Sequence, residues 1–102
     1  MSPAPATLAA LADADLSAQL LGKGRIGTSG TVTAIRPHAD HGLAASEIER
    51  LLLEMGFMEG SRVEILHEGP LGRDPIAVRV DNLRVAIRRN EANAILIQPD
   101  EA

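Results

Sequence analysis

Ile76-Ala77-Val78-Arg79-Val80-Asp81-Asn82-Leu83-Arg84-Val85-Ala86-Ile87 is the stretch that decides how this chain is read. Apolar residues fill every second position up to Asp81-Asn82, and every second position away from it. A period of two marks strands with one buried face. Asp and Asn are, after Gly, the residues that best tolerate the positive φ of a two-residue hairpin turn. The register then follows. Val80 faces Leu83, Val78 faces Val85 and Ile76 faces Ile87 on the core side. On the outer side Arg79 opposes Arg84, and Ala77 opposes Ala86. Like charges placed directly opposite cost a few tenths to ~1 kcal/mol, so the fold alone does not ask for this pair.

Residues 73–89 hold five Arg against two Asp, in a chain with ten Lys and Arg and a net charge of -4. Two readings stay open. Glu64 or Glu68 on a neighbouring strand neutralises the two arginines. Alternatively Arg79 and Arg84, with Arg88 nearby, form a docking face for an acidic partner, and the two alanines let that partner come close.

Upstream of the hairpin, Arg62 to His67 alternates as a strand, and Gly69 to Pro75 is a loop. Before that strand lies an amphipathic helix, expected over 46–55. Ile48, Leu51, Leu52 and Met55 fall at i, i+3, i+4 and i+7, the stripe of a half-buried helix. Ser46 and Glu49 have the capping-box spacing, and Gly56 stands where a left-handed residue ends a helix. Phe57 then packs back on the core, and Met58 is either core filler or a partly exposed contact, since Met suits adaptable surfaces. Thr31 to Arg36 is a β-branched strand stopped by Pro37. The glycine series Gly22, Gly24, Gly27 and Gly30 reads as bends. It lacks the Gly-Lys-Ser/Thr ending of a phosphate loop. Downstream, Glu91 to Ala94 is a helical turn, and Ile95 to Ile97 a short last strand stopped by Pro99.

At the N-terminus, residues 1–15 are an Ala/Pro-rich tail, followed by a short helix or turn around Leu16–Leu21. The folded domain is therefore expected over 16–99. About five short strands with one covering helix make a small antiparallel barrel of SH3-like type. Such a barrel is filled by its own side chains and offers surfaces more than a pocket.

Composition narrows the function. Of 102 residues, 16 are Ala, and 30 are Leu, Ile, Val, Met or Phe, enough for one small core. With no Cys, a disulfide scaffold, a thiol nucleophile and a cysteine metal site are excluded. Phe57 is the only aromatic residue and the chain is acidic, so nucleic-acid binding is disfavoured. The N-terminus has no basic region before its Ala/Leu run, and no stretch approaches a bilayer span. A cytoplasmic protein without membrane insertion is the expectation.

His38-Ala39-Asp40-His41 is the one short cluster of metal-ligand types, and imidazole with carboxylate suits divalent Zn or Fe. A preformed site normally holds three or four ligands with supporting groups. His38, Asp40 and His41 are therefore either a weak metal site or a solvated polar loop. His67 is expected at the surface. Catalysis finds no support: Ser46 is taken by the helix cap, and Glu47, Glu49 and Glu54 form a solvated helix face.

Three pieces of sequence, in order, match a known pattern. Leu51-Leu52-Leu53-Glu54-Met55-Gly56-Phe57-Met58-Glu59-Gly60-Ser61-Arg62-Val63-Glu64-Ile65 resembles the helix–turn–strand signature of the FeoA (ferrous iron transport protein A) family. Gly69-Pro70-Leu71-Gly72-Arg73-Asp74-Pro75-Ile76 is similar to its Pro-apolar-Gly-Asp-Pro-Ile loop. The run from Leu83 to Ile95 is similar to its Ala-apolar-Arg-Arg…Glu-Ala…Ile ending. The likeness spans roughly Leu20 to Gln98. Glu59 departs from it, standing where the family's turn usually has Pro. The resemblance implies an SH3-like barrel in the cytoplasm that assists FeoB, a membrane iron transporter with a cytoplasmic G-protein domain. It implies an accessory or regulatory partner and no enzyme. The same domain occurs in metal-dependent repressors, so direct binding of a divalent ion is the alternative. No fixed ligand set comes with the family, and this chain carries no helix-turn-helix.

Overall fold

This computed structural model of the chain describes residues 18–39 and 43–100. The strands are β1 (Gln19–Leu20), β2 (Ser29–Ile35), β3 (Arg62–Glu68), β4 (Ile76–Val80), β5 (Leu83–Ile87) and β6 (Ile95–Pro99). Two helices accompany them, α1 (Ala45–Glu54) and the single turn α2 (Arg89–Ala92), and a 3-10 turn covers Leu21–Lys23. All strand pairs are antiparallel, in the order β1-β6-β2-β3-β4-β5. The fold is thus a mainly β, SH3-like architecture whose sheet curves around a core without its two outer strands pairing.

The hairpin has the register its alternation dictates. Val80 pairs with Leu83, Arg79 with Arg84, Val78 with Val85, Ala77 with Ala86 and Ile76 with Ile87. Asp81 takes φ 52° in the turn. Its carboxylate accepts the Arg62 backbone N–H at 2.9 Å, and its own N–H donates to the Arg62 carbonyl at 2.8 Å. The turn is thereby fastened to β3. Val78, Val80, Ile76 and Ile87 are buried, as the inner face requires, and the core continues through Val63 and Ile65 of β3 and Ile95 and Ile97 of β6. Leu83 departs from expectation: it is the first residue of the edge strand β5 and is 58% exposed.

Helix α1 packs on the core through Ile48 and Leu52. Met55 is half-buried against the core, whereas Leu51 is exposed, so the expected four-residue stripe is narrower than its spacing implied. The expected cap is also displaced. Ala44, not Ser46, is the N-cap, its carbonyl accepts the Glu47 and Ile48 N–H groups, and no side chain caps the helix. Ser46 thus lies one residue inside the first turn, out of place for a reciprocal bond with Glu49. The other end behaves as the sequence predicts. Gly56 adopts φ 101°. Its N–H bonds the Leu53 carbonyl at 3.0 Å, and the Phe57 N–H bonds the Leu52 carbonyl at 3.0 Å. This is the double closure of a Schellman ending, and it drives Phe57 wholly into the core.

The amino-terminal part is corrected. Where a helix or turn was expected around Leu16–Leu21, residues 19–20 form a sixth strand on Ile97 and Leu96, and the turn begins only at Leu21. Leu16 and the tail 1–15 lie outside the described residues, as do Asp40 and His41. Pro99 does not stop β6; it is its last residue, opposite Gly30. The Asp100 carboxylate then clasps the sheet. It accepts from Ser29 Oγ at 2.9 Å and from both terminal nitrogens of Arg62, at 2.8 and 2.5 Å. These bonds hold the Asp100 carboxyl down at about 2, the Arg62 hydrogen bond being the largest cause, and raise the Arg62 guanidinium.

Candidate partner-docking edge

β5 ends the strand order, so only β4 pairs with it. A two-residue turn makes Val80 and Leu83 a hydrogen-bonded pair, and the alternation repeats along the hairpin. The backbone groups of Leu83, Val85 and Ile87 therefore point to β4. Those of Arg84 and Ala86 point away from it, leaving an open ladder of donors and acceptors, the usual template for adding a strand.

The arginines on this hairpin separate. Arg79 stands opposite Glu64 of β3, and its Nη2 donates to Glu64 Oε1. Arg84, one strand further out, makes no ion pair among the described residues and is exposed. The two readings of the pair thus divide between its members: neutralisation holds for Arg79 and not for Arg84. Arg88 is exposed just before α2, its N–H bonded to the Glu91 carboxylate at 3.2 Å.

Met58 belongs to the same neighbourhood. A Cβ at Gly56 would lie 3.7 Å from both Leu83 Cδ1 and Val80 Cγ1, so the Leu83 side chain covers the end of α1. Met58 follows two residues on and is 55% exposed. Its placement rests on Ser61, which sequence reasoning passed over. Buried Ser61 accepts the Met58 N–H and donates to the Gly56 carbonyl, both at 3.2 Å, while its own N–H bonds the Met58 carbonyl. With the backbone so held, the Met58 side chain is left outside. Leu83, Met58 and Arg84, without an ion pair among the described residues, thus mark one end of an open strand. No single-residue pattern signals Ser61, because its role depends on the loop closing back on α1.

Of the metal candidates His38, Asp40 and His41, His38 alone lies among the described residues. His38 is exposed, beside a depression of about 300 Å³ that it shares with Ala39, Ile48, Asn90 of α2 and Asn93 and Ala94 after it. His67 is exposed on β3. Among the described residues no three His, Asp or Glu side chains gather as a metal site, and no helix is long and apolar enough to cross a membrane.

The antiparallel sheet with an open outer strand and one covering helix defines the class: a small, mainly β, SH3-like domain. The particular family follows from sequence: the FeoA domain model matches residues 20–99, and the chain belongs to the FeoA family. That family is linked to ferrous iron transport as small accessory domains. Solved structures agree. FeoA of Stenotrophomonas maltophilia, complexed with zinc and described as a prokaryotic SH3 domain protein, is 27% identical, with TM-score 0.65, over 81% of this chain and 96% of that one. A FeoA-like protein from Clostridium acetobutylicum is 27% identical, with TM-score 0.70, over 84% and 91% of the two chains. A manganese-dependent transcriptional repressor, in complex with manganese, is 26% identical with TM-score 0.67, but this chain covers only 37% of it. No curated protein matches the chain.

Proposed function

We propose that this chain is a cytoplasmic accessory protein of bacterial ferrous iron uptake that docks on the cytoplasmic G-protein region of a FeoB-type transporter. The observation that carries the docking reading is the open edge of β5, where Arg84 has no carboxylate partner among the described residues and Leu83 and Met58 stand exposed beside it. Arginine offers a planar fork to carboxylates, and complementary charge acts mainly on the association rate. Arg88 extends the basic edge. Arg79 contributes its aliphatic stem, since its charge is shared with Glu64. The test is surface plasmon resonance against the purified cytoplasmic region of FeoB, with and without guanine nucleotide. Arg84→Glu should slow association at least about fivefold at low salt and flatten its salt dependence, with the far-UV spectrum unchanged. An unchanged rate moves the docking site elsewhere, and the absence of binding in every nucleotide state overturns the reading.

Zinc in the Stenotrophomonas maltophilia FeoA supports a second reading, in which this chain takes up a divalent ion such as Zn or Fe through His38, Asp40 and His41. Zn²⁺ titration by calorimetry should then release protons, because ligating imidazole must be neutral. Replacing His38 and His41 together by Ala should abolish the heat, and an unaltered isotherm removes this loop as the site.

A further inference from the structure

At the opposite end of β5, three segments distant in sequence meet around a depression of about 310 Å³. They are the 3-10 turn with Gly24 and Arg25 after it, the loop between β3 and β4, and helix α2. Lys23, Arg25, Arg73 and Arg89 line the depression, with Gly22 and Gly72 presenting no side chain between them. The chain has only ten Lys and Arg, so four in one hollow is a concentration that its acidic net charge does not foreshadow.

Arg89 is the floor. Its Nη1 donates to the carbonyls of Gly22 and Gly24, at 2.9 and 2.7 Å, its Nε to the carbonyl of Arg73 at 2.8 Å, and its Nη2 to Glu68 at 2.8 Å. Those bonds draw the three segments together. Arg73, whose carbonyl accepts one of these bonds, sits at φ 63°, beside Gly72 at φ 68°, a conformation that a long side chain seldom adopts. Lys23 and Arg73 make no ion pair among the described residues.

Among the described residues no carboxylate lines the hollow. Two stand behind it: Glu68, bridged to Arg25 and Arg89, and Asp74, which accepts the Arg89 backbone N–H. Four cations against these two carboxylates leave two positive charges in excess. A concave cluster of one sign focuses its field and raises the local concentration of counter-ions. Arg89 spends four of its five N–H donors on the fold, which leaves Lys23, Arg25 and Arg73, brought to one hollow from separate segments, to donate to the oxygens of a phosphoryl group. Nothing aromatic lines the hollow, so no platform exists there for a nucleobase.

We infer that the hollow lined by Lys23, Arg25, Arg73 and Arg89 is a binding site for a phosphate or diphosphate group. The group can come from free pyrophosphate or from the end of a nucleotide. This site is separate from the docking edge and stands whether or not that edge binds FeoB.

The test is a titration of the ¹⁵N-labelled chain with pyrophosphate, ADP and sulfate at constant ionic strength, followed by amide NMR. Pyrophosphate should give saturable shifts in residues 22–25, 72–73 and 89–93, complete by about 10 mM. Lys23→Ala with Arg73→Ala should raise the dissociation constant at least tenfold; both side chains are exposed, so the fold should persist. Arg84→Ala should leave it within twofold. ADP binding as tightly as pyrophosphate supports a site for the diphosphate group alone, and ADP binding tenfold tighter supports the same site with a nucleotide as the source. Shifts that never saturate, shifts centred on Arg84 and Arg88, sulfate binding as tightly as pyrophosphate, or a double variant that binds like the parent overturn the inference.

Discussion

Arg84 and Arg89 lie five residues apart on the same basic stretch, yet they live in different electrostatic worlds. Arg89 is 17% exposed at its side chain, and Glu68, its ion-pair partner, 11%. Its guanidinium reaches carbonyls 65 and 67 residues back in the chain. Arg84 reaches nothing among the described residues. The first is a strut that ties the chain's beginning to its end. The second is an open valence on an outer strand. Arg79, between them in character, is half-exposed and answers Glu64 across the sheet. A count of arginines in a segment therefore says little. What matters is whether the fold brings a carboxylate or a carbonyl to each one.

That contrast can be broken by substitution. Arg89→Ala should cost the most, about 3 kcal/mol, because it leaves a largely buried Glu68 with only the exposed Arg25 as partner and frees three carbonyls. Urea unfolding should show this as a large drop in midpoint, and a drop under about 1 kcal/mol would mean that Arg89 is no strut. Arg84→Ala should change stability by less than about 0.5 kcal/mol, as surface changes without partners do. An equal loss at both positions would erase the distinction between them.

The smallest effect belongs to the Arg62–Asp100 clasp, which is exposed on both sides. It sharpens the comparison because it is a strong-looking pair in water. The Asp100 carboxyl is lowered from 3.8 to about 2. A depressed carboxyl contributes stability above its unfolded value and loses it as the pH falls through the folded one. Parent and Asp100→Asn should therefore differ slightly in unfolding midpoint above pH 3.8 and converge as the pH falls to about 2. A difference that persists below that range would show that the carboxyl's charge is not what the clasp contributes.

Much of the architecture was legible because it is local. The alternation from Ile76 to Ile87 dictates its own pairing, and Gly56 announces the end of α1 by the one backbone conformation it alone takes easily. Ser46 misled for an equally local reason: its spacing to Glu49 satisfies a capping box, but the helix begins at Ala45, with Ala44 in the capping place. A two-residue strand such as Gln19–Leu20 has too few residues to show any period, and it exists only because β6 offers an edge. At the candidate sites the limit was the same. The sequence shows Arg79 opposite Arg84. It does not show that Glu64 takes one and leaves the other, nor that Ser61 sets Met58 outward, nor that Arg89 gathers Lys23, Arg25 and Arg73 around one hollow. Each of these depends on contacts across many residues of chain.

Buried Phe57 has a practical optical consequence. It is the only aromatic side chain of the 102 residues, with no Trp or Tyr beside it. The protein is therefore almost transparent at the wavelengths where tryptophan and tyrosine absorb and emit. Its concentration has to be read from peptide-bond absorbance or by weight. In return, any indole fluorescence in a mixture belongs to the other component, so a tryptophan-bearing partner can be watched against a dark background. A single Trp introduced at exposed Leu83 would report from the edge of β5 alone.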